Sequence, residues 1–189
     1  MITLQDFEDT GALLTGHFRL SSGLHSDRYL QCARLLMFPE RAEAAGRELA
    51  ARLSEFRAAS VVSPAMGGLI IGHEVARALK VPFLFAERQE GAFALRRGFR
   101  LTAGDPVLIV EDVFTTGKST REVVELVSAA GAIAVAAGSI VDRGLPPGAL
   151  GVPSRSLLSL DVPAWSEADC PLCRKNLPLD SPGSRYKKN

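Results

Sequence analysis

The sequence predicts an α/β domain built on a central, mostly parallel sheet flanked by helices. Three observations carry that expectation. Strand-like apolar patterns alternate with helical ones along most of the chain. The run Val107-Leu108-Ile109-Val110 is continuously apolar, as suits a parallel strand covered on both faces. Turns rich in glycine and hydroxyl groups follow the strand patterns at residues 63–68 and 111–120, where such sheets gather their ligands.

Each element has a local reason. Residues 4–14 read as an opening helix closed by Gly16. The polar turn Ser21-Ser22-Gly23-Leu24-His25-Ser26-Asp27 lies between residues 18–20 and 29–31, which read as two short strands. Pro39 suits a first helical turn and opens a helix to residue 57, with Ala45, Leu49, Leu53 and Phe56 on one face. Residues 60–63 are expected as a strand, 69–79 as a helix and 82–86 as a strand. The apolar strand at 107–110 is followed by a helix over 116–130, aligned by Val123, Val127 and Ala130. Further strands are expected at 133–141 and 156–160. Beyond Leu160 the chain is rich in Pro, Lys and Arg, and reads as an extended tail draped over the domain with mobile last residues.

Composition narrows the function. The 189 residues make one domain with small appendages. Lys plus Arg number 22 and Asp plus Glu 21, a net charge of +1 that argues against nucleic acid or a membrane as partner. Any anion site must be local. Three cysteines, an odd and sparse count, favour a reducing compartment. The N-terminus lacks the features of a signal peptide, and the longest weakly polar run, residues 132–141, is about half the roughly 20 residues of a membrane helix. A cytoplasmic location is expected. Cys170-x-x-Cys173 is half of a zinc pattern without a partner pair, and His17, His25 and His73 are spread along the chain. A structural turn is expected there, and no direct protein ligand to a metal anywhere.

The most informative stretch runs from Val107 to Thr120. A buried strand is expected to end in two carboxylates, Glu111 and Asp112. Val113 and Phe114 follow, then the hydroxyl-rich turn Thr115-Thr116-Gly117-Lys118-Ser119 opens a helix. Free N–H groups at a helix start, with nearby hydroxyls, cradle a phosphate. The acids can accept hydrogen bonds from the vicinal hydroxyls of a ribose. Gly117-Lys118-Ser119 is not a nucleotide P-loop, because that motif needs Gly five residues before Gly117, where Asp112 stands.

This segment resembles the phosphoribosyl-diphosphate-binding motif of the type I phosphoribosyltransferases. The wider chain is similar to the orotate branch of that family. Residues 16–23 with His25-Ser26-Asp27 resemble its N-terminal base-side loop, and Ser63-Pro64-Ala65-Met66-Gly67-Gly68 its diphosphate loop. Leu95-Arg96-Arg97-Gly98-Phe99, Asp142-Arg143, Cys170-Pro171-Leu172-Cys173 and Pro182-Gly183-Ser184-Arg185 extend the likeness. The resemblance implies a type I phosphoribosyltransferase fold with a small N-terminal hood: residues 1–38 as hood and base-side loop, 39–165 as core and 166–189 as tail.

It also implies the reaction of orotate with phosphoribosyl diphosphate to give orotidine 5′-phosphate and diphosphate, in pyrimidine biosynthesis, by a homodimer. By resemblance Glu111 and Asp112 take the ribose hydroxyls, with Asp112 catalytic. Thr115, Thr116, Gly117, Lys118 and Ser119 hold the 5-phosphate, flanked by Val113 and Phe114. Ala65, Met66, Gly67 and Gly68 offer backbone to the diphosphate. Ser22, Gly23, Tyr29, Thr115 and Arg143 face orotate. Magnesium enters bound mainly through diphosphate and water. Arg88 matches the family's catalytic loop arginine, within a segment at 87–97 that closes over a neighbouring subunit. The chain departs from the family's commonest loop: Gln89 follows Arg88, no Lys or His appears before Leu101, and Gly67 replaces a frequent Lys. Two alternatives stand beside this reading: the same fold acting on a purine or uracil, and a non-catalytic RNA- or DNA-binding regulator.

Overall fold

The computed structural model describes residues 1–20 and 22–182. Ser21 and the Gly183-Ser184-Arg185 stretch lie outside the described residues, as do the last residues of the tail.

A short helix α1 (Leu4–Asp9) leads into strand β1 (Leu13–Arg19), which pairs antiparallel with β2 (His25–Leu30). The helix expected over 4–14 is therefore shorter. Gly11 adopts a left-handed φ of +63°, ending the helix, and Gly16 lies inside β1 instead of closing a helix. After β2 come α2 (Ala33–Leu36), unforeseen in the sequence, and α3 (Pro39–Leu53), with a 3-10 turn at Ser54–Phe56.

The core follows as β3 (Ser60–Pro64), α4 (Gly68–Leu79), β4 (Phe83–Gln89), β5 (Ala92–Leu95), β6 (Pro106–Phe114), α5 (Lys118–Ala129), β7 (Ile133–Asp142) and β8 (Ser154–Ser159). The six strands form one sheet in the order β5-β4-β3-β6-β7-β8. Every pairing is parallel except the β4–β5 hairpin. That is the mostly parallel α/β sheet expected from the alternating pattern.

Alternate side chains of the central strands feed two cores. Val61, Leu108 and Val110 pack with Ala45, Leu49 and Leu53 of α3 and Ile71 and Val75 of α4. Val62, Val107 and Ile109 pack on the other face with Val123 and Val127 of α5. Each such fully buried side chain contributes about 1.5–3 kcal/mol. Gly138 lets α3 press on the sheet, for a Cβ there would lie 2.6 Å from Leu53 Cδ1.

The segment after β8 runs back along the β1–β2 hairpin and is held there by backbone pairing. Trp165 and His25 exchange N–H···O bonds of 2.8 Å. On the hairpin's other strand, Arg19 N–H donates to Asp180 and Asp180 N–H to His17, both at 2.8 Å. Between these pairings lies a one-turn helix, α6 (Pro171–Arg174). Among the described residues no helix is long and apolar enough to cross a membrane.

Candidate active site

The carboxylate pair sits inside β6, not after it. The apolar run predicts a strand ending at Val110, yet pairing with β7 continues through Glu111↔Ser139, Val113↔Val141 and Phe114↔Asp142. A long neighbour keeps the backbone satisfied past the last apolar core position. Glu111 is 8% exposed. One of its oxygens accepts the N–H of Asp112 at 3.2 Å, and Asp112 Oδ1 accepts the N–H of Val113 at 2.8 Å. Burial and the adjacent Asp112 charge push the Glu111 carboxyl well above its ordinary range, and burial raises Asp112 as well. Such a pair gains from hydroxyl donors, which favour the ionised form.

The helix following β6 starts at Lys118 rather than Thr116, because Gly117 takes a left-handed φ of +74°. A Cβ on Gly117 would also lie 2.7 Å from Leu145 Cδ1 and Leu150 Cδ2. The turn wraps a small cavity of about 70 Å³, lined by Glu111, Val113 and residues 115–120. Backbone N–H groups of the first turn of α5 and the hydroxyls of Thr115, Thr116, Ser119 and Thr120 are the polar groups of that segment. Its size and N–H donors suit a phosphate, and it lies directly beside the Glu111 carboxylate.

The loop after β3 approaches the acids from the neighbouring strand. Ala65 N–H donates to Ala86 at 2.8 Å, and the Ala65–Met66 peptide is cis. A Cβ on Gly67 would lie 2.7 Å from Asp112 Oδ1, and one on Gly68 2.7 Å from the Val110 carbonyl oxygen. Glycine at both positions thus lets backbone, not side chain, face the carboxylates. Met66 projects outward and is exposed. Beneath the loop the Ser63 hydroxyl is buried without a hydrogen-bond partner among the described residues.

Arg143 lies one residue past β7, and its N–H donates to the Phe114 carbonyl at 2.9 Å. It does not pair with Asp142. That carboxylate instead caps the turn, accepting the N–H groups of Gly144 at 2.9 Å and Leu145 at 2.7 Å. The Arg143 Nε is buried with no hydrogen-bond partner among the described residues. Burial lowers the guanidinium's proton affinity, while Cys32 and Tyr29 act in the opposite direction. Burial raises the Tyr29 phenol, while Arg143 pulls it down.

Cys32 is a site residue that sequence reasoning missed. Its Sγ is 4.0 Å from the Asp112 carbonyl oxygen. Burial pushes the thiol well up, and the charges of Asp112 and Glu111 push it further, so it stays protonated. No motif marks it; only the fold carries the start of α2 to the end of β6.

The remaining expected residues are dispersed. Ser22 and Gly23 turn the hairpin tip: the Ser22 hydroxyl accepts the Leu24 N–H at 3.4 Å, and Gly23 N–H donates to the Leu20 carbonyl at 2.8 Å. Arg88 stands on the β4–β5 hairpin, not among the acids. Its guanidinium meets Glu122 of α5 at 2.7 Å and the Gly91 carbonyl at 2.6 Å, and lies 4.2 Å above the Phe93 ring. Arg97 is bound by Glu87 through two bonds of 2.9 Å. One expectation is corrected outright: His17 and His25 are not spread apart from the cysteine pair. With Cys170 and Cys173 they form one cluster whose ligand atoms all lie within 4.8 Å of one another.

Comparison with known proteins agrees with this geometry. The model of the phosphoribosyl transferase domain family matches residues 39–147. The orotate phosphoribosyltransferase of Thermotoga maritima is 53% identical over 181 residues, covering 96% of this chain and 97% of that protein. That of Pelotomaculum thermopropionicum is 50% identical, over 95% of this chain and 94% of its own. The crystal structure of orotate phosphoribosyltransferase from Aeropyrum pernix superposes with a TM-score of 0.71 at 28% identity, covering 82% of this chain and 92% of that one.

Proposed function

The chain belongs to the phosphoribosyltransferase family and, within it, to the orotate phosphoribosyltransferases, and from that premise we propose how its own residues carry the reaction. The enzyme transfers the phosphoribosyl group of 5-phosphoribosyl 1-diphosphate to orotate, giving orotidine 5′-phosphate and diphosphate on the route to UMP.

One observation supports the choice of base: the buried Arg143 Nε, without a hydrogen-bond partner among the described residues, beside Tyr29 and one residue beyond the strand that flanks the acids. A guanidinium left so is matched by a carboxylate, which orotate has and adenine, hypoxanthine and uracil lack. Tyr29 lines the base, and Thr115 reaches toward it from the phosphate turn. Ser22 and Gly23 contribute backbone from the hairpin tip.

Glu111 and Asp112 accept the ribose hydroxyls and fix the sugar. Residues 115–119 hold the 5-phosphate, with Val113 and Phe114 shaping the wall. Residues 65–68 present backbone to the diphosphate. Held at both ends, C1 is placed between the incoming nitrogen and the departing oxygen, and positioning supplies most of the rate. Arg88 stabilises charge on the departing diphosphate. A guanidinium is always protonated, so Arg88 moves no proton. Its Glu122 contact is half-buried, with Arg88 42% and Glu122 26% exposed, so closure of the hairpin would have to replace it with the diphosphate's own charge.

Magnesium is the cofactor the family implies. The residues fit it: magnesium held through diphosphate and water needs no protein ligand, and the glycine loop beside the Asp112 carboxylate leaves backbone, not side chains, facing that space. When bound to diphosphate and water it neutralises charge on the leaving group. We assign residues 1–38 to a hood, 39–165 to the catalytic core and 166–189 to a tail, and read the enzyme as a cytoplasmic homodimer without nucleic-acid or membrane partners.

The test is direct. Protein mixed with orotate, phosphoribosyl diphosphate and magnesium should consume orotate, read by its ultraviolet absorbance, and leave adenine, hypoxanthine and uracil untouched. A folded protein that turns over none of them, or prefers a purine, refutes the assignment.

A further inference from the structure

We propose that His17, His25, Cys170 and Cys173 form a closed structural zinc site that fastens the tail to the hood hairpin. The inference stands independently of the catalytic assignments.

The four ligand atoms come from distant parts of the chain. His17 and Cys170 are 153 positions apart, yet His17 Nε2 lies 3.5 Å from Cys170 Sγ and 3.6 Å from Cys173 Sγ. His25 Nδ1 lies 3.1 Å from His17 Nε2 and 3.2 Å from Cys173 Sγ. A tetrahedron with zinc–nitrogen bonds of about 2.0–2.1 Å and zinc–sulfur bonds of about 2.3 Å has nitrogen–nitrogen edges near ~3.3 Å and nitrogen–sulfur edges near ~3.6 Å. These four separations approach those edges to within about 0.4 Å, and all six pairs lie within 4.8 Å, so a bound ion would draw the set slightly together. Two imidazoles and two thiolates are a borderline-soft set that suits zinc and disfavours magnesium or calcium.

The surroundings orient the ligands as metal sites require. His17 Nδ1 lies 2.9 Å from the Leu177 carbonyl oxygen, which can only accept. The proton therefore resides on Nδ1 and the Nε2 lone pair faces the cluster. Cys170 and Cys173 bracket the start of α6, where Pro171 fixes the first helical position and one turn brings the thiols to the same side. His17 sits where the β1–β2 register slips between Thr15 and Phe18, and this re-aims its side chain. Three of the four residues are buried: His17 at 6% exposure, His25 at 2% and Cys170 at 0%.

The tail needs such a fastening. Residues 161–182 hold only a four-residue helix, and Leu177 and Leu179 remain exposed. With little apolar core of its own, the segment relies on backbone pairing at Trp165 and Asp180 and on whatever joins its cysteines to the hairpin. Four protein ligands leave no open position, so the role is structural rather than catalytic. Binding converts two thiols to thiolates and releases their protons to solvent.

The experiment uses the full-length protein, purified under reducing conditions, stripped with a chelator and reloaded. Elemental analysis should find about one zinc per chain. Cobalt substitution should give the intense visible bands of a tetrahedral site together with a thiolate-to-cobalt charge-transfer band. Cys173→Ser should weaken zinc affinity by at least about 100-fold, and stripping should lower Tm on the order of 5 °C. His73→Asn, an exposed histidine outside the cluster, should retain full loading. Should Cys173→Ser fail to fold, the cobalt spectrum of the unmutated protein decides alone. A folded, reduced protein that binds well under one equivalent, a cobalt spectrum lacking the thiolate band, metal lost with His73, or a native Cys170–Cys173 disulfide each overturns the proposal.

Discussion

Replacing Glu111 by Gln should move stability and ligand affinity in opposite directions. The substitution keeps the side chain's shape and removes a charge that is 8% exposed and lies against Asp112. Without a sugar, that carboxylate accepts the Asp112 N–H at 3.2 Å. Leaving a buried group unsatisfied costs about 1–3 kcal/mol, and more when it is charged, so the neutral amide should gain on the order of that amount once the pH exceeds the raised value at which the buried acid ionises. For a chain of this length each kcal/mol is worth roughly 2–4 °C in Tm. Glu111 is raised above its usual 4.5, so the folded state binds the proton more tightly than the unfolded state. Stability of the unmutated enzyme therefore falls as pH rises from the ordinary value through the raised one. The advantage of Glu111→Gln should be full above that window and vanish below pH 4.5. Affinity for phosphoribosyl diphosphate should meanwhile drop, because a charged acceptor for a hydroxyl is worth about 1.5–3 kcal/mol, or roughly 10–150-fold in Kd. Thermal melts between pH 4 and 8 and titration calorimetry at pH 8 read both effects. A variant less stable than its parent at pH 8, or one that binds the sugar diphosphate undiminished, refutes the reasoning.

Other substitutions probe the remaining contacts. Gly117→Ala forces a side chain into a left-handed turn against Leu145 and Leu150 and should cost about 1–3 kcal/mol by denaturant melt, with a raised KM for phosphoribosyl diphosphate. Arg143→Ala removes a charged hydrogen-bonding partner and should raise the KM for orotate about 10–150-fold while leaving that for the sugar diphosphate within about threefold; equal losses for both would contradict a base-side role. Arg88→Ala should lower kcat at least about 10-fold with Tm within a few degrees, since its resting Glu122 contact is a single partly exposed ion pair; unchanged kcat would remove it from the machinery.

The elements most legible in the sequence were those whose cause is local. Val107-Leu108-Ile109-Val110 announces a doubly covered strand by composition alone, and Gly117 marks the turn that starts α5. Glu111 and Asp112 looked like the end of that strand because polarity ordinarily marks a boundary; here β7 pairs beyond the core and carries β6 four residues further. The strand Leu13–Arg19 was hidden by Gly16 and by apolar spacing that also suits a helix. Tertiary proximity was the hardest to see. Nothing local joins His17 to Cys170, Cys32 to Asp112 or Arg88 to Glu122. Arg143 was visible by its place after a strand, but its orphaned Nε emerges only from packing.

The bond from Arg143 N–H to the Phe114 carbonyl makes the sheet a ruler. On the proposed roles, the acids that would meet the sugar lie within β6, and the guanidinium that would meet the base follows directly on the adjacent β7, tied to β6 by that bond. The span between the two ends of the product is thereby set by the rigid centre of the molecule, leaving the flanking hairpins free to diversify. A nucleotide analogue lengthened by one methylene between ring and ribose should fit either end but not both.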